Sequence, residues 1–206
     1  VSSTLCAMTG LKTIVLSMPI KQKENQHDLS LKHQKWLVEK FKNVEAHTIN
    51  LDELFKSFSS TLNKFDNEHG FANSRARLRM TTLYQVAAAN KGIVVGTGNK
   101  VEDFGVGFYT KYGDGGVDIS PIADCNKTDV WEMGKELGIL KEIIDAPPTD
   151  GLWDDGRTDE GQLGFKYEDL EDAMKNPKSP HRKEYEKIRK QNLHKMEPIP
   201  VCKIPS

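Results

Sequence analysis

The sequence predicts an α/β fold, a three-layer sandwich with a parallel sheet at its centre. Short apolar runs alternate with longer segments of helical periodicity, and this alternation is typical of strands and helices in a parallel sheet. The run Gly92-Ile-Val-Val-Gly96 holds no polar side chain. Wholly apolar strands of this kind are usually buried on both faces of the sheet.

The elements follow in chain order. Val1–Thr9 resembles the end of a helix that stops at Gly10. Leu11–Pro19 and Val44–Leu51 are predicted strands, because apolar residues cluster in the first and alternate in the second. The helical segments have apolar residues at helical spacing. The predicted helices are 31–41, capped by Asp28 or Ser30; a helix capped by Asp52 that runs through Leu62; and Asn73–Asn90, the longest, with Leu78, Leu83, Val86 and Ala87 on its inner side.

The character of the chain changes after Gly96. Residues 97–125 are rich in glycine and lack periodicity, so we predict a long loop region, which usually has a functional role. Helical signals return at Lys127–Leu137 and Glu168–Met174. The last thirty residues mix charges of both signs, which is typical of a solvated helical face. We treat residues 1–206 as a single domain.

Composition excludes several classes of protein. The 206 residues carry 29 Lys and Arg against 30 Asp and Glu, a net charge of −1. A dedicated nucleic-acid binder needs a positive surplus, so nucleic acid is not an expected partner. No apolar window approaches the roughly 18 residues of a membrane span. The three cysteines lie far apart and suit reduced thiols, and we expect a cytoplasmic protein.

Two polar features follow the apolar run at 92–96. In a parallel sheet, ligands lie beyond the carboxyl ends of the strands. Thr97-Gly-Asn99 falls at such an edge, where glycine lets a nucleotide approach and the threonine hydroxyl can bind it; a plain strand-to-loop turn is the alternative. Glu102 could hold Mg²⁺, which prefers one or two carboxylates together with phosphates. The alternative for Glu102 is a solvated surface carboxylate.

The segment Thr110–Asp118 contains Gly113-Asp-Gly-Gly116, which requires a tight backbone that tolerates left-handed conformations. Such a loop would bring Lys111 and Asp118 to one ligand, and a glycine-rich hairpin is the weaker alternative.

Arginines stand at positions 75, 77 and 79. Residues two apart on a helix point in different directions, so these three cannot share a face. One could face a phosphate or carboxylate while the others form surface pairs. A solvated start of the helix is an equal alternative.

Six blocks in consistent order resemble the ammonia-dependent NAD⁺ synthetase family, within the N-type ATP pyrophosphatase group. Each block alone is modest, but six in order are specific. The blocks are Asn73-Ser-Arg-Ala-Arg-Leu-Arg-Met80, Gly96-Thr-Gly-Asn-Lys-Val-Glu102, Thr110-Lys-Tyr-Gly-Asp-Gly-Gly-Val-Asp118, Asn126-Lys-Thr128, Ala146-Pro-Pro-Thr-Asp150 and His194-Lys195.

The resemblance implies a role for each matching residue. Glu102 would coordinate Mg²⁺. For catalysis, Lys127 would neutralise charge on the pyrophosphate leaving group, and we hypothesise that Asp118 assists the loss of a proton from ammonium. The acidic residues after Thr149 would belong to a mobile lid. The implied ATP contacts are Thr97, Lys127 and Thr149; the implied deamido-NAD⁺ contacts are Arg77, Lys111, Asp118, His194 and Lys195; and the lid residues are Asp154, Asp155 and Glu160.

The implied reaction is the last step of NAD biosynthesis. ATP adenylylates the nicotinate carboxylate and releases pyrophosphate, and ammonia then displaces AMP to form the amide of NAD⁺. No side-chain nucleophile is needed, which suits a site of cations, threonines and carboxylates. The family forms homodimers with the dinucleotide at the interface, so His194 and Lys195 could serve the partner's site.

One family motif, the phosphate-binding loop Ser-Gly-Gly-x-Asp-Ser, is missing from the printed sequence. The motif normally starts the helix whose end resembles Val1–Thr9, so we expect the sequence to begin just after it. Two alternatives stay open: a catalytically inactive nucleotide-binding module of the same fold, and another amidotransferase or thiolating enzyme of the ATP pyrophosphatase type. Thiolation normally requires paired cysteines, and the sequence has no CxxC pair. Use of glutamine would require a nucleophilic cysteine in an amidase context, and the sequence has none, so ammonia is the expected nitrogen source.

Overall fold

The computed structural model describes residues 1–153 and 155–204, except for the side chain of Glu24. Two parallel strands, β1 (Thr13–Ser17) and β2 (Val44–Thr48), pair in register from Thr13 opposite Val44 to Ser17 opposite Thr48. Helix α2 (Glu24–Lys40) forms the crossover between them. This βαβ arrangement confirms the predicted α/β class with a parallel sheet.

The other helices surround this unit and build the region that follows it. A 3₁₀ turn lies at Asn63–Phe65 and a π-helical turn at Val101–Val106. Within residues 1–153 and 155–204, no helix is long and apolar enough to span a membrane. The remaining helices are α1 (Ser2–Met8), α3 (Asp52–Thr61), α4 (Glu68–Ala89), α5 (Lys127–Glu136), α6 (Lys141–Ile144), α7 (Asp159–Leu163), α8 (Tyr167–Lys175) and α9 (Arg182–Met196).

The start of α2 differs from the prediction. The helix begins at Glu24, so neither Asp28 nor Ser30 is its cap. The Ser30 hydroxyl instead donates to Ser17 Oγ at 2.9 Å, which ties the helix to the end of β1. Ser30, a residue type that often caps helices, here forms a hydrogen bond to the neighbouring strand instead.

Helices α3 and α4 also begin differently from the prediction. Asp52 is the first residue of α3, and its carboxylate accepts a hydrogen bond from the Lys21 backbone N–H. Helix α4 begins at Glu68, because the Asn67 side chain caps it by accepting from the Gly70 N–H at 2.7 Å. The four residues expected on its inner face are only partly buried. The buried residues of α4 are Ala72, Arg75, Ala76 and Met80.

The apolar run at 92–96 does not form the predicted strand in the described residues. It makes a single parallel bridge, between Val95 and Ile119. Val94 is buried but Ile93 is 59% exposed, so the expectation of burial on both faces is wrong for this run. The cause is local: the Asp118 carboxylate accepts the Val94 N–H at 2.7 Å and replaces a ladder hydrogen bond.

Buried side chains form clusters along the chain. One cluster, with Leu37 at its centre, joins α1 and α2 to the strands, and a second lies around Ile20 and Phe55. A third packs Val101 and Val106 of the π-helical turn against Tyr167 of α8. This third cluster supports the wall of the cavity described below.

We expect Leu37→Ala to lower the free energy of unfolding by roughly 2–5 kcal/mol, because Leu37 is fully buried and truncation leaves a cavity. Leu11 is 72% exposed, so Leu11→Ala is a matched control with an expected change within about 0.5 kcal/mol. Urea denaturation followed by circular dichroism measures both. Equal losses in the two variants would contradict the assignment of Leu37 to the core.

Candidate functional site

A cavity of about 950 Å³ lies between α4, the π-helical turn, the segment that precedes α7 and the end of α9. Its lining residues come from regions far apart in the sequence, and eight of the nine predicted site residues are among them. Those eight are Arg77, Thr97, Glu102, Lys111, Lys127, Thr149, His194 and Lys195.

An ion pair between Glu102 and Lys127 forms one wall of the cavity. Lys127 Nζ lies 2.9 Å from Glu102 Oε1, and each side chain is 16% exposed. Lys127 is the first residue of α5, which a capping box between Asn126 and Asp129 fixes in place. No local pattern indicates that Lys127 pairs with Glu102, because 25 residues separate the two.

Asn99 sets the orientation of Glu102. Its buried side chain accepts hydrogen bonds from the backbone N–H groups of Val101 and Glu102, at 3.0 and 3.1 Å. These bonds start the π-helical turn directly after Thr97-Gly-Asn99. π-helical turns are rare and occur frequently at functional sites.

Tyr167, a residue that the sequence analysis missed, lies behind the ion pair. Its hydroxyl donates to Glu102 Oε1 at 2.7 Å, and Lys127 Nζ lies 4.8 Å from the centre of its ring. Burial, followed by the charge of Glu102, raises the pKa of the phenol far above its ordinary value. Tyr167 therefore remains a hydrogen-bond donor.

Asp159 is a second residue that the sequence analysis missed. It is 6% exposed and lines the cavity, and its backbone N–H donates to Pro148 O at 3.0 Å. Burial, reinforced by the charge of Glu102, raises the pKa of its carboxyl to about 6. Asp159 follows the Thr158 cap of α7, so in the sequence it resembles an ordinary acidic residue at a helix start.

The three arginines of α4 have separate backbone partners, which agrees with their predicted different directions. The expectation of a surface pair or of a solvated helix start is wrong for Arg75, which is buried. Arg75 is buried and donates to Leu152 O at 2.9 Å, whereas Arg77 donates to Lys111 O at 3.2 Å. Arg79 donates to Met18 O at 2.9 Å, and burial together with the charge of Arg75 lowers its pKa to about 10. Arg77 and Arg79 line the cavity, and Arg79 is still charged at neutral pH.

The end of α9 closes the opposite side. Lys195 Nζ donates to the carbonyl oxygens of Gly107 and Tyr109, at 2.8 and 2.9 Å, and Lys111 Nζ donates to His194 O at 2.9 Å. Gly107 has a φ of +66°, and a Cβ there would lie 2.6 Å from Asn192 Cβ. The backbone of Gly107 and α9 are therefore in direct contact.

Asp118 differs from the other predicted residues, because it does not line the cavity. One carboxylate oxygen accepts from the Tyr84 hydroxyl at 3.0 Å and the other from the Val94 N–H at 2.7 Å. Through these two hydrogen bonds, Asp118 connects Tyr84 of α4 to the backbone of Val94. Its catalytic and ligand-binding roles stay predictions.

The segment predicted to form a lid borders the cavity through Thr149 and Trp153. Trp153 stacks on His69 at 6.1 Å, and the Arg157 guanidinium lies 4.1 Å from its ring. Of the acidic residues named for the lid, Asp154 lies outside the described residues. Asp155 pairs with Arg157, and Glu160 accepts from the Tyr167 backbone N–H. Movement of this segment stays a prediction.

The parallel sheet and the cavity of cations, threonines and carboxylates define an α/β protein of the N-type ATP pyrophosphatase fold. The NAD synthase family model matches residues 1–204, and the chain belongs to this family.

Individual relatives agree with this assignment. The NH(3)-dependent NAD(+) synthetase of Carboxydothermus hydrogenoformans is 45% identical over 63% of this chain, and that of Finegoldia magna is 36% identical over 90%. The chain spans 54% and 75% of these two proteins. A solved structure of NMN synthetase from Francisella tularensis superposes with a TM-score of 0.88 at 30% identity, covering 98% of this chain and 83% of that one.

We expect Asp159→Asn to stabilise the protein above pH 6 in buffer containing EDTA. The folded-state pKa of about 6 exceeds the ordinary 3.8, so ionisation of Asp159 costs folding free energy as the pH rises from about 4 to 6. The cost above that range is roughly 1–3 kcal/mol, which the neutral amide removes. Urea denaturation at pH 4 and pH 8 measures it. A stability difference between variant and wild type that does not grow with pH would contradict this explanation.

Proposed function

We propose that the protein amidates a nicotinic acid nucleotide with ammonia at the expense of ATP, releasing AMP and pyrophosphate. Deamido-NAD⁺ is the proposed substrate and NAD⁺ the product. The family assignment and the names of the relatives support this proposal. Homodimer formation and a cytoplasmic location belong to the same proposal.

The arrangement of the cations in the cavity is the observation that carries the proposal. Among the described residues, five Lys and Arg side chains line it beside four carboxylates, Glu102, Asp114, Asp150 and Asp159. Several lining cations are held by backbone carbonyl oxygens, which orient them but do not cancel their charge. Deamido-NAD⁺ and ATP are both polyanions, so such a cavity suits them. These contacts join Arg77 to Lys111 O, Arg79 to Met18 O, Lys111 to His194 O, and Lys195 to Gly107 O and Tyr109 O.

The donor set suits a magnesium ion that is completed by substrate phosphates. Within residues 1–153 and 155–204, no three carboxylate, histidine or cysteine side chains form a metal cluster. Mg²⁺ commonly takes one or two carboxylates together with phosphate oxygens and water, and Glu102 would supply such a carboxylate. When bound, the ion would neutralise charge on the pyrophosphate leaving group.

The side chains of the cavity have roles in binding and charge stabilisation. Thr97 and Thr149 would bind ATP, and Lys127 would stabilise the negative charge that develops on the departing pyrophosphate. The carboxylate of the substrate attacks the α-phosphorus and pyrophosphate leaves. Ammonia then attacks the carbonyl carbon of the mixed anhydride and AMP leaves, so no covalent bond to the protein is required.

A second candidate substrate is nicotinic acid mononucleotide, which would yield NMN. The observation that favours it is the likeness to the NMN synthetase of Francisella tularensis, which extends over nearly the whole chain. The same adenylylation and amidation would serve both substrates, since both carry the nicotinate carboxylate. The two candidates differ only in whether the site accepts the second nucleotide.

The test is an assay of the full-length protein with ATP, Mg²⁺ and either substrate, with ammonium or glutamine as nitrogen donor. Mass spectrometry of the products distinguishes NAD⁺ from NMN. We expect NAD⁺ from deamido-NAD⁺ with ammonium, and a lower kcat/KM for the mononucleotide. A higher kcat/KM for the mononucleotide would favour the second candidate. Binding of both substrates without any product would instead favour the inactive module.

We expect Glu102→Gln and Lys127→Met each to lower kcat by about 100-fold or more, because the first removes the carboxylate that would hold Mg²⁺ and the second removes the cation that would face the leaving group. Lys100 is a matched control, since it pairs with exposed Asp124 and does not line the cavity. Lys100→Met should stay within about twofold of wild type. Steady-state kinetics of the three variants give the comparison, and equal activity in all three would exclude a role for the ion pair in catalysis.

A further inference from the structure

The Asp159 carboxylate is buried without a full set of hydrogen-bond partners. Asp159 is 6% exposed, and its Oδ1 has no hydrogen-bond partner among the described residues. Its Oδ2 lies 3.3 Å from the Tyr167 hydroxyl. Burying a charged group is costly unless it is paired, so a buried carboxylate of this kind needs an explanation.

Tyr167 cannot satisfy Asp159, because its hydroxyl has a single proton. That proton is directed to Glu102 Oε1, at the shorter distance of 2.7 Å. The same Glu102 oxygen also accepts from Lys127 Nζ at 2.9 Å. The tyrosine thus lies between two carboxylates and gives its proton to only one of them.

This arrangement leaves one oxygen of each carboxylate without a described hydrogen-bond partner. Both hydrogen bonds described for the Glu102 carboxylate fall on Oε1, and Asp159 Oδ1 is unpartnered among the described residues. Both residues line the cavity. Two carboxylates held together by one hydroxyl repel each other, and a cation between them would remove that repulsion.

Asp159 is held in place by its own segment. Its N–H donates to Pro148 O at 3.0 Å, and Thr149 Oγ1 donates to Arg157 O at 3.1 Å. The loop between these residues is therefore closed by hydrogen bonds at its base. These hydrogen bonds fix the position of the Asp159 backbone.

We propose that Asp159 is a second protein ligand, beside Glu102, for the divalent cation that accompanies ATP. This inference rests on the proposed function. Asp159 is the first residue of α7, whereas Glu102 belongs to the π-helical turn. A cation bound by both carboxylates would therefore hold the start of α7 against that turn. Two carboxylates together with phosphate oxygens are a donor set that Mg²⁺ commonly takes.

The test measures cation binding rather than turnover. Mn²⁺ replaces Mg²⁺, α,β-methylene-ATP replaces ATP, and electron paramagnetic resonance of free Mn²⁺ gives the affinity of the full-length protein. We expect Asp159→Asn to weaken Mn²⁺ binding on the order of tenfold or more. Asp145 is exposed and lies outside the cavity, so Asp145→Asn removes the same charge and should leave the affinity unchanged.

Equal Mn²⁺ affinity in the two variants would overturn the proposal. So would a normal Mn²⁺ affinity in Asp159→Asn together with a raised KM for ammonium, since the carboxylate would then serve the nitrogen donor. Thermal melting shows that each variant is folded. An intact Mn²⁺ contrast without amidation would overturn the proposed function and leave the cation site standing.

A gain of binding provides a second test that does not depend on the Asp159→Asn variant. Asp159→Cys offers a thiolate, which prefers soft cations. We expect ultraviolet absorption from a cadmium–thiolate bond in this variant, and we expect Mg²⁺ with α,β-methylene-ATP to compete with it. Asp145→Cys corrects for the native cysteines. Equal absorption in the two cysteine variants would also overturn the proposal.

Discussion

The ion pair between Lys127 and Glu102 is the interaction on which the rest of the site depends. It joins the start of α5 to the π-helical turn, and Tyr167 adds the start of α8 through its hydrogen bond to Glu102. Both charged side chains are largely shielded from water, so loss of one partner would leave the other charge poorly compensated. The pair therefore holds the wall of the cavity together and also determines its local charge.

Most cations that line the cavity keep their positive charge because their hydrogen-bond partners are uncharged backbone carbonyls. The whole chain carries a net charge of only −1, so composition gave no sign of an anion-binding surface. The fold collects arginines of α4 with lysines from a loop and from helices α5 and α9 around one volume. Backbone carbonyls hold several of these cations, and a carbonyl dipole orients a cation without neutralising it. Local concentration of charge thus arises in a nearly neutral chain.

Much of the fold and of the site could be predicted from the sequence. The strands at 13–17 and 44–48 and the helices at 127–136 and 167–175 follow from apolar spacing, which is a local property. The start of α2 was wrong because Ser30 bonds a strand instead of capping a helix. The strand at 92–96 was wrong because Asp118 replaces a ladder hydrogen bond there.

The residues that the sequence could not show are those whose role depends on distant partners. Tyr167 meets Glu102 across 65 positions, and in the sequence it resembles an ordinary core aromatic. Asp159 acquires its shifted pKa from burial and from Glu102, neither of which leaves a local pattern. Motifs identified eight residues that line the cavity, whereas Tyr167 and Asp159 emerged only from the packing.

The close contact between Gly107 and Asn192 has a consequence for how mutational data on this protein should be interpreted. The hydrogen bonds from Lys195 hold α9 against the loop it covers, and the absence of a side chain at position 107 lets the two come this close. Any larger residue at position 107 must push the helix outward and take His194 and Lys195 with it. An activity-based scan of all single substitutions would therefore score Gly107 like a residue in the binding pocket, although glycine offers no side chain to a ligand.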